Sequence, residues 1–241
     1  MNIIDLQIDP SYLEKAMVEL NLSDFPSTEI IGKMFDAMGG TLGHTQKMQS
    51  MINWIDLLEK KYREAITSII YGLAHQYKQQ EDRAYSPNQP FFNPPTSYFT
   101  ENAVSRAFSL VEKLAQLLNV FEDLGIKEQG SSREAVSFGK IQALSKTTDL
   151  AALERSLKTL SPERHAHTHG MTPEMTRHNI SSVSAGSING ERPMEVIVHS
   201  IDESKLPVTP YQQLLRCKNV MENFTVVISK VFEVIDNDLD I

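Results

Sequence analysis

The sequence predicts a mainly α protein: a long-helix bundle with short packing helices and one β-hairpin at about 179–201. Three observations lead there. Apolar residues recur at three- and four-residue steps over 45–80 and 100–125, and again in the last thirty or so residues. Proline falls between these stretches rather than inside them. Only around Asn189-Gly190, a pair that tolerates the positive φ of a tight hairpin, do the flanking runs favour strands. With 241 residues, 41% hydrophobic and 22% charged, the chain can fill one or two domain cores and is not a disordered chain.

The first helix is signalled by Asp9-Pro10-Ser11, a cap followed by proline in the first turn, with Leu13, Met17 and Leu20 on one face. A second short helix is expected from near Ser27 to Gly39-Gly40, burying Ile30, Ile31, Met34, Phe35 and Met38. The Gly39-Gly40-Thr41-Leu42-Gly43 run lacks the Gly-Lys-Ser/Thr ending of a phosphate loop and has no preceding strand, so it reads as a helix stop and turn. The first long helix, Thr45 to Gln80, carries a stripe of Met51, Ile55, Leu58, Tyr62, Ala65, Ile69, Leu73 and Tyr77.

Prolines 87, 90, 94 and 95 then impose an extended connector over 86–99, unusually rich in aromatics with Phe91, Phe92, Tyr98 and Phe99. Thr100 reads as the cap of the second long helix, whose stripe is Val104, Phe108, Val111, Leu114, Leu118 and Phe121 and which ends at Gly125. Two shorter helical stretches follow, one with Val136, Ile141 and Leu144, the other with Leu150, Leu153, Leu157 and Leu160.

Residues 163–207 differ in texture: a polar, histidine-rich loop and then the hairpin, with Val196-Ile197-Val198 strongly β-prone. Thr209-Pro210 launches the last helix. The expected organisation is therefore a helical domain over 1–162, the loop and hairpin over 163–207, and a C-terminal seam helix over 208–241 packing on the helical domain or on neighbouring subunits. In that helix Leu214, Cys217, Met221, Phe224, Ile228, Val231 and Ile235 alternate by three and four, the seam of a coiled coil or long bundle, with Val220, Val227 and Val234 beside it. Its acidic end, Asp236 to Asp240, is unfavourable at a helix C-terminus and calls for a cation or partner.

Charge and composition narrow the function. A net charge of −8 disfavours a broad nucleic-acid or anionic-membrane surface. One cysteine excludes an internal disulfide, and Cys217 on the apolar seam behaves as a small hydrophobe rather than a nucleophile. The N-terminal Met1-Asn2-Ile3-Ile4-Asp5 lacks a signal-peptide pattern, and no run approaches the roughly 18 apolar residues of a membrane span, so a cytoplasmic (or virion) location without membrane partners is expected. No Gly-x-Ser-x-Gly elbow occurs, and helical carboxylates such as Glu112, Glu122 and Asp123 lack a Glu-x-x-His partner. The run Glu59-Lys60-Lys61-Tyr62-Arg63-Glu64 reads as a solvated mixed-charge face.

The one cluster of metal-ligating type is His165, His167 and His169, which project to one face if extended and could bind a transition metal. The expectation is a non-enzymatic structural or assembly protein without cofactors. It would form homo-oligomers or join neighbouring structural subunits, a virus-particle connector, tail or baseplate component being one such role. Self-association is expected along Leu214, Met221, Phe224, Ile228, Val231 and Ile235. The alternatives are a metal-binding enzyme or sensor built on the three histidines, which elemental analysis would reveal, and a monomeric cytoplasmic adaptor.

Overall fold

The computed structural model describes residues 8–26, 28–82, 95–128, 135–162, 164, 178–188, 192–201 and 209–239. The chain divides into two compact units, one of Met1–Leu160 with Pro210–Ile241 and the other of Ser161–Thr209. The first unit is helical and sets the fold class as mainly α. Its elements are α1 (Pro10–Leu20), α2 (Thr28–Asp36), α3 (Leu42–Asp82), α4 (Pro95–Phe121), α5 (Phe138–Leu144), α6 (Ala151–Lys158) and α7 (Pro210–Leu239). In the second unit β1 (His178–Ile188) and β2 (Arg192–Ile201) pair antiparallel, Val183 opposite Val196, with a register irregularity between Ser184 and Ser187.

The long antiparallel-capable pair α3 and α4 forms the spine, and α7 packs against α4, α3 and α6. All eight stripe residues of α3 are buried, as are Val104, Phe108, Val111, Leu114 and Leu118 of α4. Close approach of α3 and α7 depends on Gly72: a Cβ there would stand 2.8 Å from Leu214 Cδ2. Where α3 meets α7, Tyr62 and Phe224 stack at 5.9 Å, and Phe25, from the α1–α2 connection, lies 5.5 Å from Tyr62 and edge-on to Phe232 at 5.8 Å. The Tyr62 hydroxyl donates to Ser23 O at 2.6 Å, and burial pushes this phenol above its ordinary range.

Several boundaries differ from the sequence reading. Asp9 does cap α1, its Oδ1 accepting from Ser11 N at 2.9 Å, but Ala16 and Leu20 face inward while Met17 is 57% exposed. In α2 Ile30 and Met34 are buried, whereas Phe35 points outward. Helix α3 begins at Leu42, because Thr41 rather than Thr45 receives the first-turn amide, His44 N to Thr41 Oγ1 at 3.3 Å. Helix α4 begins at Pro95, so 95–99 belong to a helix and not to the extended connector. Proline at the first helical position gives up no needed donor. Thr100 is consequently inside the helix, its Oγ1 donating to Thr96 O at 2.7 Å instead of capping. The rest of the expected connector, 86–94, lies outside the described residues.

The end of α4 is tied down by Asn119, which accepts from Ile126 N at 3.1 Å and donates to Ile126 O at 2.9 Å while Asp123 and Gly125 adopt positive φ. Glu112 receives the amide of Phe138 at the start of α5, and Glu122 collects Ser145 Oγ, Lys146 N and Thr147 N. Burial raises the Glu122 carboxyl, yet these donors outweigh it and hold the group below the usual carboxylate range. The acidic end of α7 meets its cation inside the chain: Lys33 of α2 pairs with Asp236 at 2.6 Å.

Candidate functional site

Self-association along α7 is not available. Leu214, Met221, Phe224, Ile228 and Val231 have no exposed surface and Ile235 has 1%, all within the core shared by α3, α4 and α7. The seam is regular because it is covered by the chain's own helices, so the expected interface residues are corrected to core residues. Cys217 is likewise fully buried. His165, His167 and His169 lie outside the described residues. Among the described residues no group of three His, Cys, Asp or Glu side chains is placed to hold a metal. No described helix is long and apolar enough to cross a membrane.

The charged run on α3 forms part of a groove of about 460 Å³ lined by Asp56, Glu59, Lys60, Arg63, Glu64 and Thr67 of α3, with Arg106 of α4 at its side. Asn53, Asp56, Lys60, Arg63 and Thr67 are all exposed and alternate by three and four, so they form one polar stripe along the helix. The helix places them together, on the side away from the buried stripe. Arg63 lies over Glu59, with Nε at 3.0 Å and Nη2 at 2.7 Å from Oε1. Lys61 reaches Glu64 at 2.8 Å and holds its carboxyl below the usual range.

Arg106 is partly buried. Its Nη1 donates to Glu64 O at 2.9 Å and to Ser68 Oγ at 2.6 Å, which fixes one edge of the guanidinium against α3 and orients the group at the groove. The sequence reading took the Glu59–Glu64 run as solvent-facing and did not single out Arg106. The signal for the stripe was present as polar residues at helical spacing; nothing local to Arg106 marks it, because only the α3–α4 packing brings it there.

A second polar centre lies where α1 meets the C-terminal part of α3 and the start of α7. The Glu19 carboxylate accepts hydrogen bonds from the Tyr77 and Tyr211 hydroxyls, and Glu19 O accepts from Lys218 Nζ at 2.7 Å. Lys15 Nζ sits 4.3 Å from the Tyr77 ring centre, and the Tyr12 hydroxyl donates to Glu81 at 2.8 Å. Burial, then the hydrogen bond to Glu19, raises the Tyr77 phenol; for Tyr211 the Glu19 bond comes first. This arrangement clasps α1 to the bundle rather than framing a cavity.

The family model described as Cthe2314-like HEPN matches residues 54–236, well over half of the chain. The chain belongs to that family. The HEPN match begins inside α3, just before the charged stripe, and ends at Asp236, the residue that pairs with Lys33. No curated protein and no solved structure matches the chain.

Proposed function

We propose that this HEPN chain is a non-enzymatic assembly protein that works as a subunit of a multi-chain complex, using the outer face of its helical unit. The observation that carries this reading is the balance of opposite charges along the α3 groove. The groove balances three cations, Lys60, Arg63 and Arg106, with three carboxylates, Asp56, Glu59 and Glu64. A patch of that kind suits a mixed-charge protein surface better than a polyanion.

Light scattering across a concentration series tests this. A mass rising above the 27.2 kDa of one chain supports the assembly role; a constant single-chain mass at all concentrations overturns self-assembly.

A second reading is favoured by the family itself, since HEPN domains are typically nuclease- or RNase-like or otherwise enzymatic. In that reading the chain cleaves RNA. Multiple-turnover cutting of a mixed RNA pool by the purified protein would establish it, and intact RNA at stoichiometric protein would remove it.

A further inference from the structure

We propose that α1 is a releasable strap, which opens from the bundle as one unit about a hinge at Asn21-Leu22 and is latched shut by the Glu19 carboxylate. The inference stands apart from the assembly reading, because it concerns how the helical unit holds its own first helix.

Alone, α1 could not persist. It has 11 residues, and isolated helices shorter than about 12–15 residues are marginal in water. Its inner face is thin, with Ala16 and Leu20 buried and Tyr12 and Leu13 partly covered. Glu19 sits in the last turn, which carries no basic residue, so its charge opposes the helix dipole. Other elements must therefore hold this end. Tyr77 of α3 and Tyr211 of α7 donate to the Glu19 carboxylate, the latter at 2.8 Å, and Lys218 of α7 donates to Glu19 O at 2.7 Å.

The opposite end is held more loosely. The Asp9 side chain caps Ser11 within α1 itself, and Glu81 of α3 meets the Tyr12 hydroxyl at 2.8 Å and Lys15 at 4.0 Å in exposed contacts. Exposed ion pairs contribute little. Polar attachment is thus concentrated at Glu19, and when its donors let go the helix loses its fixing point and its stability together.

Just beyond α1 the chain supplies a hinge and an anchor. Asn21, which ends the helix, adopts a left-handed conformation at φ 41° and ψ 45° and turns the chain out of it. Two residues later the chain is pinned again: Ser23 O accepts from the Tyr62 hydroxyl at 2.6 Å, and Phe25 packs among Tyr62, Phe224 and Phe232. Strap, hinge and anchor all precede residue 54, where the matched HEPN region starts, so opening removes no helix of that region. It frees the Tyr77 and Tyr211 hydroxyls and uncovers the Tyr77 ring, over which Lys15 lies at 4.3 Å.

Native-state hydrogen exchange on the full chain, read by mass spectrometry, tests this. The amides of α1 should exchange together, roughly tenfold or more ahead of those in the buried middle of α3 and α7. Their rate should depend weakly on low urea concentrations, because a local opening exposes little surface. Glu19→Gln keeps the shape of the latch and removes its charge, and Tyr211→Phe removes one donor. Each should speed α1 exchange by roughly tenfold and leave the middle of α4 and α7 unchanged. Together they should give less than the product of the two effects, since both act on one contact. Exchange of α1 only at the rate of the α3 and α7 cores would make it an integral part of the fold and overturn the strap. Variants that speed every helix alike would do the same. An α1 that opens equally fast with and without the substitutions would overturn Glu19 as its latch.

Discussion

Two stripes in this molecule share one spacing and have opposite fates. On α7, Leu214, Cys217, Met221, Phe224, Ile228, Val231 and Ile235 alternate by three and four and are buried to the last residue. On α3, Asn53, Asp56, Lys60, Arg63 and Thr67 alternate in the same way and are exposed throughout. The period defines a helix face in both cases, but it does not say whose atoms cover that face. An apolar stripe on a chain of 241 residues finds its cover within the same fold, because each large side chain left in water forfeits about 1.5–3 kcal/mol. A charged stripe has no such drive and stays at the surface, where its pattern of signs can select a partner. A regular seam is thus evidence of packing; self-association needs the further evidence of self-complementarity.

The sharpest way to break that contrast is Phe224→Asp. It replaces a side chain with no exposed surface, stacked on Tyr62, by a charge with no partner in the core. Loss of about 4 kcal/mol or more is expected, since truncating a buried phenylalanine costs about 3–5 kcal/mol even without adding charge. Urea denaturation followed by circular dichroism would record it as unfolding of the single chain. Dissociation into still-folded chains would return the α7 seam to the role of an interface.

Next in size is Gly72→Val, which tests whether the seam is closed by the chain's own α3. The added carbon would meet the two Cδ atoms of Leu214 at under 3 Å, and Leu214 is itself fully enclosed. A loss of roughly 1–3 kcal/mol is expected from overpacking. Leu214→Ala in the same chain should make the double variant less unstable than the two single losses predict, as residues in direct contact do. Strict additivity in thermal denaturation would mean that the two positions do not touch.

The clasp at Glu19 comes third and depends on pH. Tyr77 and Tyr211 have folded-state pKa values above the ordinary 10.0, so folding favours their neutral forms. Their contribution is complete below about pH 10 and is lost as the pH climbs beyond it, by up to about 1.4 kcal/mol per pH unit for each group. Melting temperatures taken from pH 8 to 11 should therefore fall at the alkaline end. Tyr77→Phe should flatten that fall while lowering stability at neutral pH by roughly 1.5–3 kcal/mol, the worth of a hydrogen bond to a charged acceptor. An unchanged alkaline slope in the variant would separate Tyr77 from the effect.

The same contrast explains which parts of the molecule could be read from the sequence. The stripes of α3, α4 and α7 were legible because burial imposes a period that no other force imitates over so many turns. The acidic end of α7 was legible as a demand for a cation, and Lys33 meets it from a helix some two hundred positions earlier. Boundaries were less legible where one residue type serves two purposes. Pro95 breaks a helix in its interior but opens one at its first turn, and Thr100 can cap a helix or bond back to Thr96 within it. Amphipathic positions near the edge of a face, such as Met17 and Phe35, fall outside the core because a short helix buries only a narrow strip. Arg106 could not be read at all. Its place in the groove follows from the packing of α4 on α3, which no local pattern encodes.

The smallest effect expected is also the one that separates a surface from a core most cleanly. Asp56→Arg and Arg63→Asp should each change folding stability by no more than about 0.5 kcal/mol. Arg63 loses its contact with Glu59 in the second variant, but an exposed pair four residues apart on a helix contributes only about 0.3–0.5 kcal/mol. Phe224→Asp, by contrast, is expected to cost the fold itself. A large folding penalty from either swap would mean that the α3 stripe is held by the chain's own structure, and the two stripes would then differ only in polarity.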